Sequence, residues 1–183
     1  MNPVYTPAQL PTNTSSSAAF GHVRLAINDL SPDGVQPFHD NDRTVHAVVN
    51  GEFYDYDNIR KDLETKTDYK FRGRSELAIA LYKYYGLNFL HHLRGEFACV
   101  IFDESQQLLI AARDRYGIKP LFWTIQEGRL LIAAEIKAFL PLGWKPEWDV
   151  KSLLDAGWNH DERTLFKGIA KVCWIVGMRR APY

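Results

Sequence analysis

The sequence predicts an α+β fold, because strand-like segments come first, helical segments follow, and strand-like segments then return. The chain has 183 residues, of which 46% are hydrophobic and 13% aromatic, and this supplies enough apolar surface for a sizeable core. Its length suits one domain, or one domain with tails. We therefore expect one folded domain of mixed helix and sheet.

The first part of the chain predicts two strands. Alternating apolar residues indicate a strand over residues 22–29, with Arg24 on the face opposite the apolar row. A Ser-Pro-Asp-Gly turn at 31–34 separates it from a second strand over residues 44–50. The apolar run of that second strand predicts burial on both faces. Gly51 follows at once, and we expect it to let the backbone leave the sheet.

Two helical segments follow. Helical periodicity begins at Asp57, with Ile59 and Leu63 four residues apart. It begins again at Ser75, whose side chain is suited to an N-cap, and one face stays apolar as far as Tyr84. We expect both segments to be helices.

Beyond Gly95, turns separate four apolar segments that predict a β meander. The predicted strands are residues 97–102, 108–112, 121–125 and 130–134. Short helices are predicted over residues 135–140 and 150–156.

Composition excludes several classes of function. The 22 basic and 22 acidic side chains give a formal net charge of zero, and no basic cluster restores an attraction to phosphate, so we expect no nucleic-acid partner. No apolar run approaches the roughly 20 residues that span a bilayer. No signal peptide is evident either, and we expect a cytoplasmic protein without membrane contact. Cys99, Cys173 and the six histidines lack the spacing of metal ligands, so we expect no metal and no cofactor.

Five strings occur in an order that identifies a family. They are Gly21-His22-Val23-Arg24-Leu25, Asn50-Gly51-Glu52-Phe53-Tyr54, Leu93-Arg94-Gly95-Glu96-Phe97-Ala98, Ala112-Arg113-Asp114-Arg115-Tyr116-Gly117-Ile118-Lys119-Pro120-Leu121 and Ala134-Glu135-Ile136-Lys137. Together they resemble the class II glutamine amidotransferase domain of glutamine-hydrolysing asparagine synthetases, over about residues 21–172. Five ordered strings are far more specific than one glycine-containing motif.

The resemblance implies an N-terminal-nucleophile hydrolase fold, a sandwich of two antiparallel sheets flanked by helices. It implies that an N-terminal Cys attacks the glutamine amide and that ammonia passes to an ATP-using domain. By the same resemblance Arg24 pairs with the glutamine α-carboxylate, Asn50 and Gly51 form the oxyanion hole, and Glu52 contacts glutamine. Taken singly, such residues are common on turns and solvated faces, so their joint match carries the assignment.

Three departures from the family bear on activity. The family begins Met-Cys-Gly-Ile, whereas Met1 is followed here by Asn2, so we expect the nucleophile and the first strand to be missing. Cys99 lies in an apolar strand and is expected to be a core residue. Arg74 stands where the family has an aspartate for the glutamine α-ammonium, so a cation would face a cation. The pyrophosphate-binding Ser-Gly-Gly loop of the family does not occur after Val172.

These patterns divide the chain into a disordered leader at 1–19, an incomplete glutamine amidotransferase domain at 20–172 and a divergent tail at 173–183. We expect a domain of an asparagine-synthase-like protein, truncated at both ends and inactive without the Cys and the synthetase domain. In the family this domain supplies ammonia for asparagine biosynthesis. Expected partners are glutamine, with binding weak or lost, and a synthetase domain or full-length homologue. The alternatives are a non-catalytic interaction module and a truncated gene product.

Overall fold

The computed structural model describes residues 18–23, 34–71, 76–173 and 175–179. The strands in these ranges are β1 Phe38–His39, β2 Val45–Phe53, β3 Gly95–Asp103, β4 Leu108–Arg113, β5 Phe122–Gln126, β6 Arg129–Ala133, β7 Ala170–Lys171 and β8 Ile175–Arg179. The α-helices are α1 Tyr56–Lys66, α2 Leu77–Tyr85 and α3 Val150–Leu154. Segments of 3₁₀-helix are Gly86–His92, Ile136–Leu142 and Gly157–Asn159.

Two antiparallel sheets organise the fold. The larger has five strands in the order β1-β2-β3-β4-β8, and the smaller has three in the order β6-β5-β7. The longest ladder joins β2 to β3 from the Val45–Asp103 pair to the Phe53–Gly95 pair. The α+β class and the paired antiparallel sheets expected from the resemblance are therefore confirmed.

The buried residues form three clusters, one on each face of the larger sheet and one on the outer face of the smaller sheet. Alternate residues of β2, β3 and β4 pack against α1 and α2 in the largest cluster, which includes Ala47, Ile101 and Leu81. Residues of opposite phase pack between the two sheets, among them Val100 and Leu121. A third cluster covers the outer face of the smaller sheet. The second strand is buried on its helix-facing side, whereas on its other face Val48 is half-buried and Asn50 is exposed, so the predicted burial on both faces holds only in part.

The strand β2 is longer than its apolar run predicts. Gly51 does not release the chain from the sheet but pairs with Phe97, and β2 continues to Phe53. The reason is that Gly51 has φ 119°, a conformation in which glycine stays within the ladder where another residue could not. The expected end at residue 50 was therefore wrong.

The predicted meander is divided between two sheets. β3 and β4 join the larger sheet, whereas β5 and β6 form the smaller sheet with β7. The chain changes sheet in the loop between β4 and β5, where Asp114 accepts backbone hydrogen bonds and sets a fixed bend. Each of the four strands of the predicted meander exists within one or two residues of its expected bounds.

The predicted helical segments exist, with bounds that differ from the expected ones by one or two residues. α1 begins at Tyr56 and α2 at Leu77, while Ser75, the expected N-cap, lies outside the described residues. The segment expected at 135–140 is 3₁₀-helix with Pro141 inside it. The helix expected at 150–156 ends at Leu154, because Ala156 has φ 54° and starts a separate turn.

The two ends of the chain are covered only in part. Residues 1–17 and most of the first predicted strand lie outside the described residues, and residues 18–23 carry no strand. At the other end, Ile175–Arg179 forms β8 and pairs with β4. Part of the predicted tail therefore belongs to the larger sheet. The division at residues 19 and 172 stays a prediction.

Candidate functional site

The candidate site lies where β2 reaches the edge of the space between the sheets. Val48 packs into the cluster between the sheets, and Asn50 and Glu52 follow it at the strand period of two, on the same face. Both Asn50 and Glu52 are exposed. Beyond Val48, this face of β2 thus carries an amide and a carboxylate that solvent can reach.

Two glycines draw the strands together at this edge. Gly51 has φ 119°, and a Cβ there would lie 1.9 Å from the carbonyl oxygen of Glu96. Gly95 has φ 147°, and a Cβ there would lie 2.0 Å from the carbonyl oxygen of Glu52. Real Cβ atoms do not come so close to backbone, so both positions require glycine. The two glycines fix the backbone on either side of the Glu52–Glu96 pair.

The carboxylates of Glu52 and Glu96 share a cross-strand pair. They are directly opposed in the register of β2 and β3 and therefore stand on one face. Lys119 Nζ lies 3.7 Å from Glu96 Oε2, with both side chains about one-third exposed. Like charges directly opposed are unfavourable, so this arrangement favours a cation beside the pair. Lys119 supplies part of that charge.

Asp114 fixes the loop that carries Lys119. Its carboxylate accepts hydrogen bonds from the backbone N–H groups of Tyr116 at 3.0 Å, Ile118 at 3.0 Å and Lys119 at 3.1 Å. Burial raises the pKa of Asp114, but these backbone hydrogen bonds outweigh it, and the pKa lies below its usual value. Asp114 is therefore ionised, and its hydrogen bonds hold the loop in one conformation.

Arg113 lies on the same sheet face, two strands from Asn50. Ala98 pairs with Asn50 on one side and with Arg113 on the other. The guanidinium lies over Gly117, where a Cβ would be 2.8 Å from Cζ. Its Nε is buried and has no hydrogen-bond partner in the described parts of the chain. The positive group is held against the loop by packing.

The predicted glutamine contact Arg24 and the altered site position Arg74 cannot be placed. Arg24 and Arg74 lie outside the described residues, so the structure brings together only Asn50, Gly51 and Glu52 of the predicted set. Their roles toward glutamine stay predictions.

Neither cysteine has the environment of an activated nucleophile. Cys99 is 1% exposed, as predicted for a core residue, and burial raises the pKa of its thiol to about 12. Cys173 is exposed, but partial burial and then the nearby Glu162 raise its pKa more than Arg113 and Lys171 lower it. Both thiols are therefore protonated near neutral pH.

The other polar features lie away from Asn50. A cavity of about 490 Å³ at the far end of β2 is lined in part by His39, His46 and Glu104, and shares no residue with the candidate site. His46 contacts His39 (Nδ1 to Nδ1, 2.6 Å) and Glu104 (Nε2 to Oε1, 2.9 Å).

Within the described ranges no group of three or more His, Cys, Asp or Glu side chains could hold a metal ion. No described helix is long and apolar enough to cross a membrane.

Sequence reasoning did not single out Glu96, Asp114 or Lys119 as parts of this edge. Glu96 can be recognised as part of the site only from the strand register, which places it directly opposite Glu52. Asp114 and Lys119 belong to a string that carries the family resemblance, and an Asp followed by a Gly-containing turn could have suggested a loop clamp. The fold was needed to bring that loop to β2.

The fold defines a class of protein. Two antiparallel sheets packed face to face and flanked by helices are the architecture of an N-terminal-nucleophile-type amidotransferase. The chain belongs to the glutamine amidotransferase domain family, whose sequence model matches residues 7–177.

Sequence relatives fall at two levels of similarity. Amidase chry2 of Gibberella zeae is 57% identical over 154 residues, covering 83% of this chain and 23% of the relative. Amidase chyE of Penicillium rubens is 55% identical over 152 residues, with the same coverage of both chains. Asparagine synthetase B of Escherichia coli is 33% identical over 129 residues, covering 70% of this chain and 23% of the relative. The chain thus spans less than a quarter of the length of these relatives.

Solved structures agree with the family. The glutamine phosphoribosylpyrophosphate amidotransferase of Bacillus subtilis, complexed with ADP and GMP, superposes with a TM-score of 0.56 at 25% identity, covering 67% of this chain and 28% of that one. A structure described as the allosteric regulatory enzyme of purine biosynthesis gives a TM-score of 0.59 at 19% identity, covering 88% of this chain and 35% of that one. The second likeness shows the fold alone.

Proposed function

We propose that the chain is a glutamine-recognising domain that binds glutamine weakly and that its 183 residues do not hydrolyse the amide. The single observation that carries the proposal is the exposed Asn50 amide beside Gly51, on the inter-sheet face of a glutamine amidotransferase fold. In that position the amide N–H₂ of Asn50 can donate to the side-chain carbonyl of glutamine.

The polar groups around Asn50 suit the other end of an amino acid. Glu52, with Glu96 directly across the ladder, offers negative charge to the α-ammonium. Arg24, by its match to the family, pairs with the α-carboxylate. These roles account for a ligand that carries an amide, an ammonium and a carboxylate at once.

The absence of hydrolysis follows from the two cysteines. Nucleophilic attack needs a thiolate next to a base and an oxyanion site. Cys99 is buried on the helix-facing side of β3, opposite in phase to Asn50, and its pKa is near 12. Cys173 is exposed, yet its thiol pKa is also raised. Neither side chain meets these requirements.

Arg74 is the reason for weak binding in this proposal. It matches the position of the family aspartate that holds the α-ammonium, and a guanidinium there repels that group. Glu52 and Glu96 offset part of the repulsion. We therefore expect a dissociation constant on the order of millimolar.

Sequence identity to the amidases supports a proposal about the kind of polypeptide to which the domain belongs. Relatives named amidase are 55–57% identical, whereas the asparagine synthetase compared above is 33% identical. We place the domain in a polypeptide of the amidase type, where it handles the amide of glutamine or a related amino acid. Ammonia supply for asparagine biosynthesis is the second candidate, and the five family strings support it.

The test measures binding and hydrolysis in the same samples. Isothermal calorimetry with glutamine, together with an assay for released glutamate, should show weak binding and no glutamate above a buffer control. Asn50→Ala should weaken binding about tenfold, the loss expected when one hydrogen bond to a ligand is removed. Asn88→Ala is the matched control, since Asn88 is an exposed residue of the 3₁₀-helix Gly86–His92.

Two outcomes would contradict the proposal. Glutamate release that survives removal of contaminating glutaminase would show that the chain is catalytic. No detectable glutamine binding, or equal binding by Asn50→Ala and the unaltered chain, would favour the alternative of an interaction module that has kept only the fold.

A further inference from the structure

In the helix α3 a polar side chain is buried and apolar side chains are exposed. Its serine, Ser152, is fully buried, and the Ser152 Oγ atom has no hydrogen-bond partner in the described parts of the chain. Its apolar residues point outward, with Leu154 84% exposed, Val150 58% and Leu153 45%. A surface helix normally shows the opposite arrangement. The exposed face is therefore not explained by the packing of this domain.

Two exposed tryptophans flank this helix along the chain. Trp148 precedes the helix and is 57% exposed, and Trp158 follows it and is 41% exposed. We call Trp148, Val150, Leu153, Leu154 and Trp158 the α3 apolar surface. Exposed aromatic and aliphatic side chains grouped in this way are characteristic of interfaces.

The α3 apolar surface is held in a fixed shape. Trp148 stacks on Phe166 with ring centroids 4.8 Å apart, and Asp149 N donates to Leu165 O at 2.9 Å. The carboxylate of Asp149 caps the helix by accepting from Ser152 N at 3.0 Å. A surface that is already ordered loses little conformational entropy when a partner binds.

Five charged side chains beside this surface form ion pairs within the chain, whereas Lys151 of α3 is exposed. Arg163 pairs with Asp155 at 2.9 Å and with Asp161 at 2.7 Å. On the other side Lys167 pairs with Glu147. Since the ion-paired charges are neutralised and the long side chain of Lys151 can keep its ammonium in solvent, the surface fits a mainly apolar face rather than a strongly charged one.

We propose that the α3 apolar surface docks the remainder of an amidase-type polypeptide, through an apolar face on that remainder. This inference rests on the setting given under the proposed function. Its relatives are more than four times as long as the segment they share with this chain, since that segment is 23% of their length. The strand β7, which follows the surface, leads through Val172 to the end of the family match at residue 177.

A chimera tests the proposal. In it, the matched 152-residue segment of amidase chyE is replaced by this chain, and hydroxyl-radical labelling is compared with that of the 183-residue chain alone. Labelling of Trp148, Leu154 and Trp158 should fall about threefold or more in the chimera, as expected for side chains at the centre of an interface. Ile125, which is 48% exposed on the smaller sheet, should label equally in both proteins. Equal labelling of the α3 apolar surface in both would overturn the proposal.

A second measurement needs only the 183-residue chain. The dye anilinonaphthalene sulfonate should bind it, and Leu154→Glu should reduce that binding severalfold while Ile125→Glu does not. Sedimentation should give a monomer; a stable dimer that protects Leu154 would overturn the proposal in favour of a second copy. Dye binding unchanged by Leu154→Glu would also overturn it. Glutamine titration of the same samples separates failure of docking from failure of glutamine recognition.

Discussion

At the scale of single residues, chemistry at the inter-sheet edge depends on what surrounds each side chain. The sequence predicted Asn50, Gly51 and Glu52 through the family strings, and the structure places them on one strand at the sandwich edge. Glu96 could not be predicted, because its position opposite Glu52 requires the register of β2 and β3. Local strings identify site residues, whereas cross-strand partners emerge only from pairing.

The two thiols should differ in reactivity. Cys99 is buried with a pKa raised to about 12, whereas Cys173 is exposed. A thiol reagent at pH 8 should therefore label Cys173 first, and Cys99 should react only after unfolding, because the thiolate is the reactive form. Mass spectrometry of time points measures this. Early labelling of Cys99 in the native chain would mean that β3 opens or that this thiol is activated.

Reversing the charge of Arg74 should strengthen glutamine binding. Arg74→Asp restores the carboxylate that the family uses for the α-ammonium, so we expect a gain of about tenfold in affinity and still no hydrolysis. Lys70→Asp makes the same change of charge at an exposed position nearby and is the control. Calorimetry compares the two. If neither variant gains, or both gain equally, Arg74 does not face the ligand.

At the scale of elements, periodicity predicted where helices and strands exist but not how they are shared between sheets. The pairs Ile59–Leu63 and Leu77–Leu81 have the spacing of α1 and α2, and their apolar faces do pack on the larger sheet. The meander was divided because the Asp114 loop turns the chain from one sheet to the other. That turn depends on hydrogen bonds from backbone N–H groups to Asp114, and a hydropathy pattern does not predict such bonds.

The paired glycines of β2 and β3 should not tolerate alanine. Gly51→Ala and Gly95→Ala each place a Cβ about 2 Å from a carbonyl oxygen of the facing strand. Each should lower the free energy of unfolding by about 2–4 kcal/mol, measured by urea denaturation. Gly21→Ala, where nothing lies within 4 Å of the added carbon, is the control and should change little. Wild-type stability in Gly51→Ala would mean that the two strands are not so close.

At the scale of the whole molecule, three buried carboxylates tie distant parts of the fold together. Asp40 bonds Lys83 of α2 at 2.5 Å, Asp103 accepts from Tyr82 Oη at 2.8 Å, and Asp114 holds the loop between the sheets. Burial raises the pKa of each, but hydrogen bonds to the carboxylates outweigh it, so all three pKa values lie below the usual range. These groups are ionised in the folded protein.

The protein should therefore lose stability in acid. A carboxylate with a lowered folded-state pKa contributes stability above its unfolded value of about 4, and that contribution disappears as the pH falls through the folded value. Urea midpoints should be nearly constant from pH 7 to about pH 5 and fall below about pH 4. Asp40→Asn should reduce this dependence, whereas Asn41→Ala, at the exposed neighbouring residue, should leave it unchanged. A midpoint that rises in acid would contradict the assignment.

The most direct test of the account is to locate glutamine on the folded chain. Backbone amide NMR spectra of ¹⁵N-labelled protein should shift on glutamine addition at Asn50–Phe53 and Gly95–Ala98, which form one stretch of the β2–β3 ladder. Signals of His39, His46 and Glu104, around the cavity at the other end of β2, should not move. The spectra should show no glutamate over hours. Shifts confined to that cavity, no shifts at all, or growth of glutamate signals would contradict a weak, non-hydrolysing glutamine site at Asn50.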